Sequence, residues 1–387
     1  MRYLQQLRFP HSIVVADSSP RPRCETNRKI VASLQDVLSI HHEQYSSDTY
    51  IPSKIAQALS VVDSEYSVVC ADDDFIVPRA VERCTQFLES NPDYEVAHGH
   101  TMWVCTVELT TRKRFLTFSR IEPDTPRSKL WSRESSQRTI DYSDPGLRLH
   151  QHLLDYWPTF YSVHRRLNLM RNMLLTANLT KDYWFGELLP GCLSIIQGKL
   201  KCLDILYQVR PYNIRDSATE SINRITPSYH ATPLTDDDFS DRYVRFRDCL
   251  ADELASVSSK PKEEAKGIVN HAFLSFLTHG ILQPMYGGQS SKRDTTWERT
   301  MKRAQKAMRI LRIAANLALL DHGFGTMIKT PRQFVKAAYL EQAMSARQPR
   351  GYVSIDSLLK KRSPFRNDFL PVYESLFSSS KRGNEND

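Results

Sequence analysis

Tyr66-Ser67-Val68-Val69-Cys70-Ala71 is a short, β-prone run that empties into three carboxylates, Asp72, Asp73 and Asp74. Phe75 follows, and Pro78 opens a helical pattern. Three adjacent acids repel one another, so local stability does not explain them. A shared cation does, because hard ions such as Mg²⁺ are held by one or two carboxylates together with substrate phosphates. Parallel α/β sheets place ligand sites at the carboxyl ends of their strands. Asp72 and Asp74 are therefore expected to hold one divalent ion, Mg²⁺ or Mn²⁺, against a diphosphate. The plain alternative is an acidic loop leading into the helix at Pro78.

A second strand end has the same character. Residues 12–16 are apolar and β-prone and run into Asp17, followed by Ser18-Ser19-Pro20. Two such ends in one α/β half meet at one crevice, although Asp17 could equally build a turn with its serines. Residues 24–38 and 51–62 space apolar positions by three and four, which predicts helices. Lys54 lies in the second of these and is either a phosphate or base contact or a solvated helix residue.

The elements that must hold these side chains follow in order. A helix is expected after Pro78, ended by Asn91-Pro92-Asp93, then a strand over 94–98. Residues 101–109 and 114–118 read as a hairpin. Residues 119–150 turn polar, with Pro123, Pro126, Pro145 and Gly146, and read as a long loop, either a lid over an acceptor or disordered. His98 and His100 flank Gly99 and read as packed or exposed histidines before metal ligands. Arg165 and Arg166 read as a solvated pair or a phosphate contact. Helical pattern continues to residue 175 and again from Lys181 to Gly198, and a strand is expected over 200–209.

Residues 216–238 carry Pro, Asn, Ser and Thr and read as a linker. Residues 239–380 are mostly helical in pattern, and 381–387 form a charged tail expected to be disordered. Asp236-Asp237-Asp238-Phe239 repeats the letters of residues 72–75, but no apolar strand precedes it. Thr235 as N-cap, with acids in the first turn, accounts for it. The two copies differ in what comes before them.

Length and composition set outer limits. The chain of 387 residues exceeds one ordinary core, which predicts two domains. Its 52 Lys+Arg against 44 Asp+Glu give a net charge of +8, compatible with anionic substrates, a membrane surface or nucleic acid and selecting none. Seven cysteines form no Cys-x-x-Cys pair and are expected to be reduced thiols in a cytoplasmic protein. No run approaches the roughly 18 apolar residues of a membrane span. Residues 301–320 alternate apolar and basic positions, which suits a core-facing helix or a peripheral contact with anionic lipid. No nucleic-acid recognition motif is present, so that class is set aside.

Taken together, Val14-Val15-Ala16-Asp17-Ser18-Ser19, Lys54 in a helix, and Val68-Val69-Cys70-Ala71-Asp72-Asp73-Asp74-Phe75 resemble the family 2 glycosyltransferases of GT-A fold over residues 1–215. That family carries a later acidic pair followed by a glycine about eleven residues on; here Glu187 precedes Gly198 by eleven, and Gly186 stands where the first acid is expected. The resemblance implies an α/β, Rossmann-like GT-A domain followed by a helical domain. It also implies metal-dependent, inverting transfer of a sugar from a nucleoside diphosphate donor, a UDP-sugar favoured, to an acceptor hydroxyl. In those terms Asp72 and Asp74 hold the metal, Asp73 faces the ribose or braces the loop, Asp17 meets the nucleobase and Lys54 the base or a phosphate. Glu187 takes the acceptor proton, with Asp182 in reserve as base or as helix cap. Members of the family open with a central β-strand, whereas this chain begins at what matches the helix after it. Either the start lies upstream or part of the donor pocket is missing. Two other readings stand beside this one: a non-catalytic nucleotide-sugar-binding or membrane-surface module, and a metal-dependent phosphoryl or nucleotidyl transferase.

Overall fold

The computed structural model describes residues 1–105, 127–130, 137–212, 234, 236–282 and 352–377. They form a mixed α/β structure. After a short helix α1 (Arg2–Gln6), the apolar run expected before the serine turn is β1 (Ile13–Asp17), which pairs in parallel with β2 (Ile40–Gln44). Between them lies α2 (Arg21–Ala32), whose Val31 packs with Leu34, Leu38 and Ile40 in a small core of its own. β2 was not expected, because Ile-His-His-Glu-Gln lacks the apolar alternation of a half-buried strand.

Helix α3 (Ile51–Ser60) leads to β3 (Tyr66–Val68), the acidic turn, β4 (Phe75–Ile76) and α4 (Pro78–Ser90). The strand expected over 94–98 continues without a break to residue 105 as β5 (Tyr94–Cys105). β5 is the spine of a second, mixed sheet. Along one edge it pairs in parallel with β8 (Lys199–Tyr212). On the other it meets β7 (Val163–Arg165) and then β6 (Arg127–Leu130), both antiparallel. β3 pairs with β7, and β4 with β8. The expected hairpin partner at 114–118 lies outside the described residues, and the strand beside residues 102–105 is β6.

No described strand precedes Ile13. β1 pairs only with β2, and β3 only with β7, so no described ladder links the two sheets. α1 lies nearby instead. Tyr3 is 4% exposed, donates its hydroxyl to the Ile76 carbonyl at 3.2 Å and meets Phe75 edge-on.

The polar stretch expected to be a loop is partly packed structure. Besides β6 it contains α5 (Pro145–Leu154), capped by the Asp144 carboxylate, which accepts from the Leu147 amide at 2.9 Å. Its polar composition hides a buried arginine. Arg148 is 5% exposed and donates to the carbonyls of Ile195 and Ile196, the last turn of α7 (Tyr183–Gln197), and to those of Tyr142 and Ser143. Residues 137–154 are thus fastened to α7, and letting go would strand helix-end carbonyls without donors. Residues 119–126 and 131–136 lie outside the described residues.

Beyond the linker, helices Phe239–Ser258 and Lys262–Ser275 form where helical pattern was expected, but they do not have a core to themselves. Phe246, Leu250 and Phe273 join Leu149 and Leu153 of α5 and Phe185, Leu189 and Leu193 of α7 in one cluster. The last described stretch departs further from the expected helical domain. β9 (Tyr352–Ser354) pairs with β6, and Phe369 and Val372 of helix Arg366–Phe377 pack into the core of Tyr3, Ile76, Leu88 and Val209. At the second acidic run, Asp238 rather than Thr235 is the N-cap residue and makes no capping bond. Asp236 and Asp238 pair with Arg242 at 2.8 and 3.0 Å instead. Residues 301–320 lie outside the described residues, as does most of the 216–238 linker. Among the described residues no helix is long and apolar enough to cross a membrane.

Candidate functional site

Asp17 ends β1 and is 6% exposed. Its Oδ1 accepts from the Ser19 amide at 2.8 Å, and its Oδ2 lies 3.0 Å from Asn27 Nδ2 and 3.1 Å from His42 Nε2. Burial alone would raise its pKa, but the bonds from Ser19, Asn27 and His42 outweigh it and hold the carboxyl well below the usual range. Cys24 stands close by, and its thiol, with Asp17 and His42, offers ligand atoms within 4.8 Å of one another. Asp17 therefore fixes the Ser18-Ser19 turn. From α3, Lys54 reaches that turn and donates to Ser18 Oγ at 2.8 Å. Burial draws the Lys54 pKa down, while Asp72 and Asp17 act in the opposite sense. Lys54 thus lies within electrostatic reach of both Asp17 and Asp72.

The acidic turn joins this group to a second one. Asp72 is exposed and Asp73 half-buried; burial and then Asp72 raise the Asp73 pKa. Asp74 turns inward, with its side chain 2% exposed. It accepts from Gln208 Nε2 at 2.9 Å and from Arg210 Nε at 3.1 Å, both on β8. Burial, with Asp73 and Asp72 adding to it, pushes the Asp74 carboxyl up to about 7 in spite of Arg210. The Arg210 guanidinium lies 5.1 Å from the Trp103 ring and 4.9 Å from the Tyr161 ring, a cation between two π faces.

Glu187 projects from the first turns of α7 and is exposed. The Tyr156 hydroxyl lies 3.4 Å from its Oε1 and 3.3 Å from its main-chain oxygen. Neighbouring atoms crowd Glu187 even though part of its side chain meets solvent, and that partial desolvation pushes its pKa up while Arg210 and Tyr156 pull it back. Arg210 therefore acts electrostatically on Asp74, Asp73 and Glu187 alike. Arg210 also lines a small cavity with His98, Thr101, Gln137, Trp157, Tyr161 and Gln208.

The ion expected between Asp72 and Asp74 would have to share the Asp74 carboxylate with Gln208 and Arg210. Both Asp74 oxygens face donors, one of them a guanidinium, and a divalent ion at the same carboxylate would meet a fixed like charge. Asp182 is committed too: it caps α7 by accepting from the Phe185 amide at 2.7 Å. Gly186 has a physical reason of its own. A Cβ there would lie 2.1 Å from Tyr50 Oη, which is held in place by its bond to the Asp182 carbonyl at 2.7 Å. A Cβ on Gly198 would lie 2.7 Å from Glu95 Cβ, so that glycine permits α7 to close on β5.

The remaining candidates are structural. His98 is fully buried between Trp157 and Tyr207, and burial pushes its pKa down to about 3. His100 is spent on Asp204 at 2.7 Å. Arg165 donates to the Leu88 carbonyl near the end of α4, and Arg166 to the Leu59 carbonyl near the end of α3, so neither is a solvated charge or a phosphate contact. Sequence reasoning missed Asn27, His42, Tyr156, Gln208 and Arg210. Asn27 alone carried a signal, standing ten residues beyond Asp17 on the face of a predicted helix.

No family model matches the chain, and no curated protein matches it. Among solved structures it is similar to S. aureus TarS residues 1–349, at 11% identity and a TM-score of 0.45, over 87% of this chain and 82% of that one. A longer S. aureus TarS structure matches at 10% identity and a TM-score of 0.37, over 72% of this chain and 50% of that one.

Proposed function

We propose that this chain is a GT-A-type glycosyltransferase that moves a sugar from a nucleoside diphosphate donor, a UDP-sugar in the favoured case, to an acceptor hydroxyl with inversion. The reading rests on one observation: Lys54 reaches the Asp17 turn at Ser18 Oγ, 2.8 Å away, on one side of the acidic run, and Arg210 holds Asp74 at 3.1 Å on the other. Asp17 and the Ser18-Ser19 turn face the nucleobase, Asp73 the ribose, and Lys54 the base or a phosphate. Glu187, on a separate element, faces the acceptor. Its carboxylate takes the acceptor proton as the hydroxyl oxygen bonds to the anomeric carbon. The bond from that carbon to the diphosphate oxygen breaks, and the nucleoside diphosphate leaves with the electron pair. Its developing negative charge is met by cations already in place, which is where electrostatic stabilisation is most effective. A raised carboxyl pKa suits a general base near neutral pH.

Gly186 favours a second reading, a nucleotide-sugar-binding module without turnover, because one acid of the expected pair is absent. The test is to incubate the chain with a panel of nucleoside diphosphate sugars and candidate hydroxyl acceptors and to follow nucleoside diphosphate release. Turnover that falls about a hundredfold or more in Glu187→Gln supports transfer, since general bases contribute 10²–10⁴-fold. Donor binding without release supports the binding module. Release of a sugar 1-phosphate would point to nucleotidyl transfer instead, and release of a nucleoside monophosphate to transfer of the sugar-phosphoryl group.

A further inference from the structure

Arg210 carries a fixed positive charge into the acidic turn. It comes from β8 and its Nε lies 3.1 Å from Asp74, which is itself the most enclosed of the three acids. Trp103 and Tyr161 flank the guanidinium at 5.1 and 4.9 Å, which fixes its plane. A guanidinium has five N–H donors in a rigid fork matched to carboxylate and phosphate oxygens. Asp74 engages the Nε–H, and it is the hydrogen-bond partner of Arg210 among the described residues. The four Nη hydrogens belong to the part of the fork farthest from the side-chain stem.

Two arguments make Arg210 more than a counter-ion. First, both Asp74 oxygens accept from fixed donors, so an ion at that carboxylate would share it with a guanidinium 3.1 Å away and meet its like charge. Second, Arg210 reaches Asp74 on one side and lines a small cavity with Trp157, Tyr161 and Gln208 on the other, so the guanidinium borders both the acidic turn and open space. A diphosphate bound over Asp72 and Asp73 with its leaving oxygen toward Glu187 would pass over this cation. Resting on the glycosyl-transfer reading, we infer that Arg210, rather than a divalent ion at Asp74, supplies the charge that holds the donor diphosphate. Nucleoside diphosphate binding by this chain accordingly persists without metal. Asp74 is then a positioning residue that aims the fork, and Arg210 the group that touches the ligand.

The test is calorimetric titration of the full chain with UDP, GDP, ADP, CDP and dTDP, once in EDTA and once in MnCl₂. The expected result is one nucleotide whose Kd in EDTA lies within about threefold of its Kd with Mn²⁺, a difference below 1 kcal/mol. Arg210→Gln should weaken that binding about 10- to 100-fold in both buffers, the range of one or two charge-assisted hydrogen bonds. Arg210→Lys, which keeps the charge but loses the fork, should fall between. Should Arg210→Gln fail to fold by circular dichroism, the wild-type comparison still decides. Binding with Mn²⁺ that drops tenfold or more in EDTA would overturn the inference while leaving glycosyl transfer standing. If none of the five nucleotides binds in either buffer, the glycosyl-transfer reading falls and takes the inference with it.

Discussion

The Tyr156 hydroxyl donates to Glu187, lying 3.4 Å from Oε1 and 3.3 Å from the residue's own carbonyl oxygen. The bond favours the charged carboxylate, so it lowers a pKa that desolvation has raised. The proposed base therefore titrates above the ordinary Glu range of about 4.3. A base must be deprotonated, so kcat/KM should rise with pH through that raised value and flatten above it. Tyr156→Phe removes the stabilising donor and should move the acidic limb to higher pH, leaving activity on the plateau less affected. An acidic limb that does not move would separate Tyr156 from the base.

Gly186 and Tyr50 form a steric pair. Gly186→Ala should destabilise the fold by about 1–3 kcal/mol, the usual cost of overpacking, because its Cβ would meet Tyr50 Oη at 2.1 Å. Tyr50→Phe removes that oxygen, and the next ring atom is 3.2 Å away. The double variant should then be more stable than the two single effects predict, by 0.5 kcal/mol or more in urea unfolding. Strict additivity would mean the two side chains do not meet.

Arg148 holds the C-terminal turn of α7 through the carbonyls of Ile195 and Ile196. Arg148→Met fills similar volume and strands those carbonyls, with an expected loss of about 2–4 kcal/mol. Arg148→Lys cannot span four acceptors and should recover only part of it. A Met variant as stable as wild type in urea would show that residues 137–154 are held by apolar contacts alone.

Glu95 is 4% exposed on β5, with Oε2 accepting from Asn168 at 2.8 Å and no described partner for Oε1. Burial pushes its carboxyl from 4.5 up to about 7 against the pull of Asn168 and Arg165. The folded chain keeps this proton where the unfolded chain has lost it, so the group's contribution to stability is full below pH 4.5 and lost by pH 7. The loss is at most about 3 kcal/mol. Glu95→Gln should match wild type near pH 4.5 and exceed it at pH 8, as read from chemical unfolding at both. Equal stability at pH 8 would place a solvent path to that carboxylate.

How far the site could be read from the sequence depends on which residues are local to their signals. Asp17, Lys54 and Asp72 stand at strand ends or on a spaced helix face, and the periodicity that predicts the element also predicts where the side chain ends up. Arg210 carries no such mark. Its partner Asp74 lies 136 positions away, and a lone arginine near a strand end reads as an edge charge. The same limit hid α5, whose arginine lowers the hydropathy of a buried helix, and the return of residues 352–377 to the sheet. Local pattern reports what an element is; it says little about which distant element needs its charge or its apolar face.

Tyr3 and Phe369 line one core, and β9 extends the sheet through β6. A ribosome adding 5–20 residues per second would need roughly 8–31 s to go from the end of β8 at residue 212 to Phe369. Through that interval the apolar side of α4 and β8 has no closing helix, although the acidic turn and both of its flanking strands are already made. The stretch of synthesis after residue 212 is thus the period when this protein is most exposed to aggregation and most dependent on holding factors. Nascent chains stalled in that window should be markedly more protease-sensitive than the finished chain.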